Sequence, residues 1–330
     1  DPLAPKESPK TKRPKDTPFR QNRLASKRPL PTPKYAIIIF SSIGSLFIFL
    51  GVLLITYSKD VIQVKERYDN VGDCDNTKWD RRTTCDVEIE IEDDMDGPVY
   101  FYYYLTSYYQ NQRRYVKSRV KAQLQGNDLS ESKLLECEPV INMDDLMRLK
   151  KDLMGGYDLE DDDVANPCGM IARTFFNDTF RLISPGGQEV EIDSEDIAWE
   201  EDVDRGFSRL DSNWTNEQWL DVEDGEAYLE HFIVWNRLSG LPSFKKLWGV
   251  IDDGLDAGTY TLKVNSLYPT DDWEGTKSVF FSTTNGMGGD NTILGGLFLA
   301  FGAISFIFAS VFCVKIFSKK RKDPSMKYEE

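Results

Sequence analysis

The chain has 330 residues, with 40 Lys and Arg against 55 Asp and Glu, a formal charge of −15. That bulk acidity excludes a nucleic-acid binder working by overall charge, and a single histidine excludes multi-histidine metal sites. The length allows one or two domains with sizeable cores.

Along the chain the charge is segregated. Residues 1–34 hold ten Lys and Arg against three acids, net +7, together with many of the prolines. Such a tail (residues 1–35) is expected to be extended when unbound. Ala36–Tyr57 then runs for 22 residues without an ionisable side chain. At about 1.5 Å per residue a helix of that length covers about 33 Å, enough to cross a bilayer. Its apolar run also exceeds the ~7–15 residues of a cleaved signal peptide. Residues 58–292 carry net −25, and Ile293–Val314 is a second uncharged run of 22 residues. Residues 315–330 close the chain at net +3. Basic flanks stay in the cytosol, so both termini are expected there, with 58–292 forming one lumenal or extracellular domain.

Within that domain Val87–Ile91 alternates with period two and predicts a half-exposed strand. Pro98–Leu105 is aromatic-rich and strand-like. Tyr108–Gln125 carries Arg113, Arg114, Lys117, Arg119 and Lys121, a basic stretch in an acidic domain. A helix or an extended surface segment fits it equally. Phe180–Ile192 places the turn Ser184-Pro185-Gly186-Gly187 between two short strand-like runs, and Thr259–Tyr268 and Lys277–Thr283 read as further strands. The fold class is therefore a membrane protein with two transmembrane helices and a large mainly-β ectodomain, an antiparallel β-sandwich with long loops.

Cys74, Cys85, Cys137 and Cys168 lie in this domain, and Cys313 lies in the second span. Four cysteines in an oxidising compartment predict two disulfides. Three pairings are open, of which nearest neighbours are the simplest. The sequons Asn177-Asp178-Thr179 and Asn213-Trp214-Thr215 make Asn177 and Asn213 candidate glycan sites on the same side.

Catalytic signatures are missing from the sequence. It has no Gly-x-Ser-x-Gly elbow, no phosphate-binding G-x-x-x-x-G-K-[ST] loop, and no Asp-Lys-Thr-Gly of a phosphorylated ATPase. Glu92–Gly97 imitates the start of a calcium loop, but its twelfth position is Tyr103 rather than glutamate. Glu160–Asp163 reads as a solvated acidic loop, and the lone His231 as a packing or surface residue. No catalytic, cofactor or metal site is expected. Both spans lack the ionisable residues of an ion path, but they carry small residues four apart: Ser41 and Ser45, Gly296 and Ala300, Ser305 and Ala309. These residues describe a two-span glycoprotein with a partner.

Seven segments in order sharpen this. They are Arg13–Leu24, Tyr57–Asp60, Tyr108–Arg119, Asn166–Ala172 with Phe176–Thr179, Phe232–Arg237, Leu241–Leu247 and Met287–Asn291. Together they resemble the cell cycle control protein 50 family, also called the transmembrane protein 30 or ligand-effect modulator family. These are accessory (beta) subunits of type-four P-type ATPases, the phospholipid flippases. The resemblance implies Cys74–Cys85 and Cys137–Cys168 pairing, a glycan on Asn177, and a multi-span catalytic partner that holds the ATP site and the lipid path. It marks Arg13, Phe19 and Arg23 in the tail, and Arg113, Arg114 and Tyr115 in the domain, as partner contacts. The basic tails also suit anionic membrane phospholipids. The sequon at Asn213 falls in none of these segments, and Lys27–Pro31 departs from the family's aromatic-containing stretch. The alternative reading is a stand-alone surface receptor or adhesion glycoprotein.

Overall fold

The computed structural model describes residues 16–24, 32–74, 83–127, 129–147, 164–207, 226–270 and 273–322. Arg13, Asn213 and Glu160–Asp163 lie outside them. The chain divides into a unit built on residues 54–292 and a helical unit from the two ends.

The first long element is helix α1, Pro33–Ser58. Proline is tolerated in its first turn, where no intrahelical donor is needed, and Thr32 Oγ1 accepts from Tyr35 N at 3.4 Å. After it come β1 (Gln63–Arg67), β2 (Thr83–Ile91) and β3 (Val99–Leu105). Short helices α2 (Arg113–Lys117), α3 (Lys121–Leu124), α4 (Met143–Met147) and α5 (Met170–Arg173) fill the following segment. Strands β4 (Thr179–Ile183) and β5 (Glu189–Val190) form a hairpin, followed by α6 (Glu200–Gly206) and α7 (Glu226–Asn236). The domain closes with β6 (Phe244–Ile251), β7 (Gly258–Ser266) and β8 (Lys277–Ser282), before α8 (Thr292–Lys322).

Among the described residues the eight strands form two antiparallel sheets, ordered β1-β8-β3-β6 and β2-β7-β4-β5. Sequence periodicity explains the facing. In β2, Val87, Ile89 and Ile91 are buried while Asp86, Glu88 and Glu90 are exposed. In β3, Val99, Phe101, Tyr103 and Leu105 point inward and Tyr100, Tyr102 and Tyr104 outward. Aromatic rings join the layers. Phe101 of β3 stacks on Phe281 of β8 with centroids 4.7 Å apart, and meets Phe180 of β4 edge-on at 5.3 Å. The predicted strands at Val87–Ile91, Pro98–Leu105, Phe180–Ile192, Thr259–Tyr268 and Lys277–Thr283 all lie in this sandwich.

In the helical unit, α1 and α8 are the two membrane-spanning helices. Glycines set their approach. A Cβ on Gly302 would meet Ile48 at 2.6 Å, and one on Gly51 would meet Leu299 and the Gly295 carbonyl at 2.9 Å. Phe40 packs on Phe308 and Phe312, and Phe47 on Phe298. Close contact runs through Gly44, Gly51 and Gly302, while Gly296, one of the small residues noted in the sequence, has open space where a Cβ would stand.

Candidate interaction surface

The basic stretch folds as two short helices, α2 and α3, and its side chains divide by chemistry. Arg113, Arg114 and Lys117 are exposed. The neutral polar residues turn inward onto the second disulfide. Ser118 Oγ donates to the Cys137 carbonyl at 2.9 Å and accepts from Met170 N at 2.9 Å. Gln123 Nε2 donates to the Ala165 carbonyl while its Oε1 accepts from Cys168 N, both at 2.9 Å. Cys137 is bonded to Cys168, and Cys74 to Cys85, with Cα separations of 5.7 and 5.4 Å. Gly169, at φ +99°, follows the second bridge, and a Cβ there would overlap the Ser118 carbonyl. A run that reads as uniformly basic is thus a staple below and a cationic surface above.

Tyr115 belongs to the staple. It is 6 % exposed, its hydroxyl hydrogen-bonds Thr174 Oγ1 at 2.8 Å, and its ring meets Tyr108 edge-on. Burial pushes its phenol pKa well up. Of the three marked residues in this stretch, Arg113 and Arg114 are therefore exposed and Tyr115 is packed inside. In the tail, Phe19 lies 78 % exposed in the turn at 18–22, and Arg23 pairs with Asp16. Asn177 is half-buried, and its Oδ1 has no hydrogen-bond partner among the described residues.

The middle residue of that sequon has a role the sequence does not reveal. Asp178 is fully buried. Its Oδ1 accepts from Leu267 N and Tyr268 N, both at 2.6 Å, and its Oδ2 from Tyr68 OH at 2.6 Å and Lys277 Nζ at 2.7 Å. Lys277 completes its shell with Ser266 Oγ and the Tyr268 carbonyl. This network ties β8 of one sheet to the β4 and β7 edges of the other. Desolvation, reinforced by the Asp178 charge, holds the Tyr68 phenol well above its usual pKa.

The segment before α8 clasps the end of α1. Asn285 Nδ2 donates to the Tyr57 carbonyl at 2.6 Å, and Asn291 N donates to Ser58 Oγ at 2.8 Å. Asp290 Oδ1 accepts from Thr292 N at 2.8 Å and caps the new helix. Two of the marked segments, Tyr57–Asp60 and Met287–Asn291, thereby meet where the chain leaves and rejoins the spans.

The profile of the LEM3 (ligand-effect modulator 3) family / CDC50 family matches residues 38–322, through both spans and the whole β domain. This chain belongs to that family. ALA-interacting subunit 3 of Arabidopsis thaliana is 33% identical over 333 aligned positions, which cover 96% of this chain and 90% of the relative. Cell cycle control protein 50A of Bos taurus is 31% identical, covering 95% and 91%. Cell cycle control protein 50C of Macaca fascicularis is 27% identical, covering 89% and 90%. Family and fold agree: along the sequence, one span precedes and one follows a disulfide-bonded antiparallel sandwich.

Proposed function

We propose that this chain is the non-catalytic accessory subunit of a phospholipid-translocating, type-four P-type ATPase. The observation that carries the reading is the end-to-end family match, with relatives named ALA-interacting subunits among those most similar. In this reading ATP hydrolysis belongs to the partner. The chain helps that partner fold and leave the endoplasmic reticulum, and stays bound while lipid moves from the outer or lumenal leaflet to the cytosolic one.

The charge pattern supports an orientation with both tails cytosolic and the β domain lumenal or extracellular, in the endoplasmic reticulum, Golgi, endosomes or plasma membrane. Disulfides and sequons favour the same side. Exposed Arg113 and Arg114, held in place by the Tyr115 and Ser118 staple, are proposed to meet the partner outside the membrane. Arg13, Phe19 and Arg23 are proposed to meet it in the cytosol. The α1–α8 pair is proposed to pack beside its helices, and Asn177 and Asn213 to carry glycans.

Removal of the chain from its native cell tests this. Uptake of fluorescent phospholipid is expected to fall, with the partner ATPase retained in the endoplasmic reticulum and its glycans immature. Normal ATPase export and lipid uptake without this chain would sink the reading.

A further inference from the structure

The two outer faces of the sandwich differ in charge. On the sheet β2-β7-β4-β5, Asp86, Glu88 and Glu90 stand exposed, with Lys263 beside Asp86. On the other sheet, register brings Lys65, Phe280 and Tyr102 into one row and Arg67, Tyr104 and Lys245 into the next. The two rows lie two residues apart along each strand, so both look outward. The one acid in these four strands, Glu66, pairs with Val279 and belongs to the opposite face. In a domain with excess acid, a sheet face without a carboxylate is anomalous.

Both lysines on this face are exposed, and both lie across its rings. Lys65 reaches from β1 over β8, placing Nζ 3.9 Å from the centroid of the Tyr104 ring. Lys245 reaches the other way from β6, over Tyr102 at 4.6 Å and Phe280 at 4.2 Å. Among the described residues neither has an ion-pair partner, whereas Arg67 is held by Asp69. Tyr100, Tyr102 and Tyr104 are half-buried, so their rings are only partly shielded from solvent. The face also lies beside the start of a span. Asp290, whose Oδ1 caps the first turn of α8, is close enough to act on Lys245 through its charge.

We propose that the outer face of the sheet β1-β8-β3-β6 docks on the bilayer surface around the spans, with Lys65 and Lys245 drawn to anionic phospholipid headgroups. The chemistry suits that boundary. Tyrosine has an apolar ring and a polar tip, and lysine an apolar stem and a charged head, so both settle where hydrocarbon meets water. Each lysine near an anionic surface adds attraction that a neutral surface lacks. An acidic protein segment would also satisfy the two lysines, but the position beside the α8 cap favours lipid. The inference rests on the two spans and not on the flippase reading.

The test is lysine footprinting of the full-length chain in nanodiscs, with an uncharged acetylating reagent and mass spectrometry. One set of nanodiscs holds phosphatidylcholine alone, the other equal parts of phosphatidylcholine and phosphatidylglycerol. Lys65 and Lys245 are expected to label about fivefold more slowly in the anionic set. Lys263, exposed on the other sheet, should label equally in both, and added salt should restore the two protected lysines. Lys245→Glu should return Lys65 towards its neutral-membrane rate, with thermal unfolding confirming that the variant is folded. Equal labelling of Lys65 and Lys245 in the two sets would overturn the proposal. So would an equal fall at Lys263, or a folded Lys245→Glu variant in which Lys65 stays protected. Protection by soluble polyglutamate, with none from the anionic nanodisc, would assign the face to an acidic protein instead.

Discussion

Lys277 Nζ lies 2.7 Å from Asp178 Oδ2, with both side chains sealed from solvent and a separation of 99 positions in sequence. The pair joins the two sheets at the point where the sequon enters β4. Removing one partner leaves a buried charge uncompensated, which costs about 3–5 kcal/mol. Lys277→Met is therefore expected to destabilise the β domain by that amount in denaturant unfolding. The double variant Lys277→Met/Asp178→Asn should lose much less than the sum of the two single changes, because no charge is left stranded. Additive losses would show that the pair is not coupled.

The two disulfides should differ in weight. The Cys137–Cys168 bridge closes a sequence separation of 31 and Cys74–Cys85 one of 11. Loop entropy makes the longer bridge worth about 1 kcal/mol more. Ser118 and Gln123 also hydrogen-bond the backbone around it, so the serine double variant at Cys137 and Cys168 should disorder α2 and α3 as well. Denaturant midpoints, with hydrogen exchange over residues 113–124, check both effects.

Acid should weaken the domain through His231. Its ring stacks on Trp248 at 5.1 Å, and burial lowers its pKa to about 4. The unfolded chain titrates near 6.5. Above that value both states hold a neutral ring and the contribution is complete. As pH falls from about 6.5 towards 4, the unfolded state takes up a proton that the folded state refuses, and stability is lost. Unfolding free energy measured across this window should slope downward in wild type and more shallowly in His231→Phe. Equal slopes would show that His231 is not the group responsible.

In the helical unit, Gly302→Val places its branched side chain against Ile48 and the Gly44 carbonyl. The α1–α8 contact should open, which distance measurements between spin labels on the two helices will read. The unfolding midpoint of the β domain should not move. An unchanged helix distance would show that the glycine contact does not set the approach.

How legible this was depends on how local each feature is. Both spans, and the strands with clear alternation such as β2, follow from periodicity over a few residues. Strands β1 and β6 do not show it: Gln63–Arg67 is almost wholly polar, and Phe244–Ile251 sets two adjacent lysines beside an apolar run. The basic stretch left helix and extended segment open because its decisive contacts go to Cys137 and Cys168. Asp178 read only as the middle of a sequon, since its partners Tyr68, Leu267, Tyr268 and Lys277 are at least 89 residues away.

As an accessory subunit, the chain is expected to hold its ATPase partner constitutively. The most direct measurement is purification of the tagged full-length chain from its native membrane in gentle detergent, with mass spectrometry of what accompanies it. The expected result is a multi-span P-type ATPase in one-to-one amount, retained through size exclusion. A chain that purifies alone across detergents, with both disulfides intact, would contradict the account.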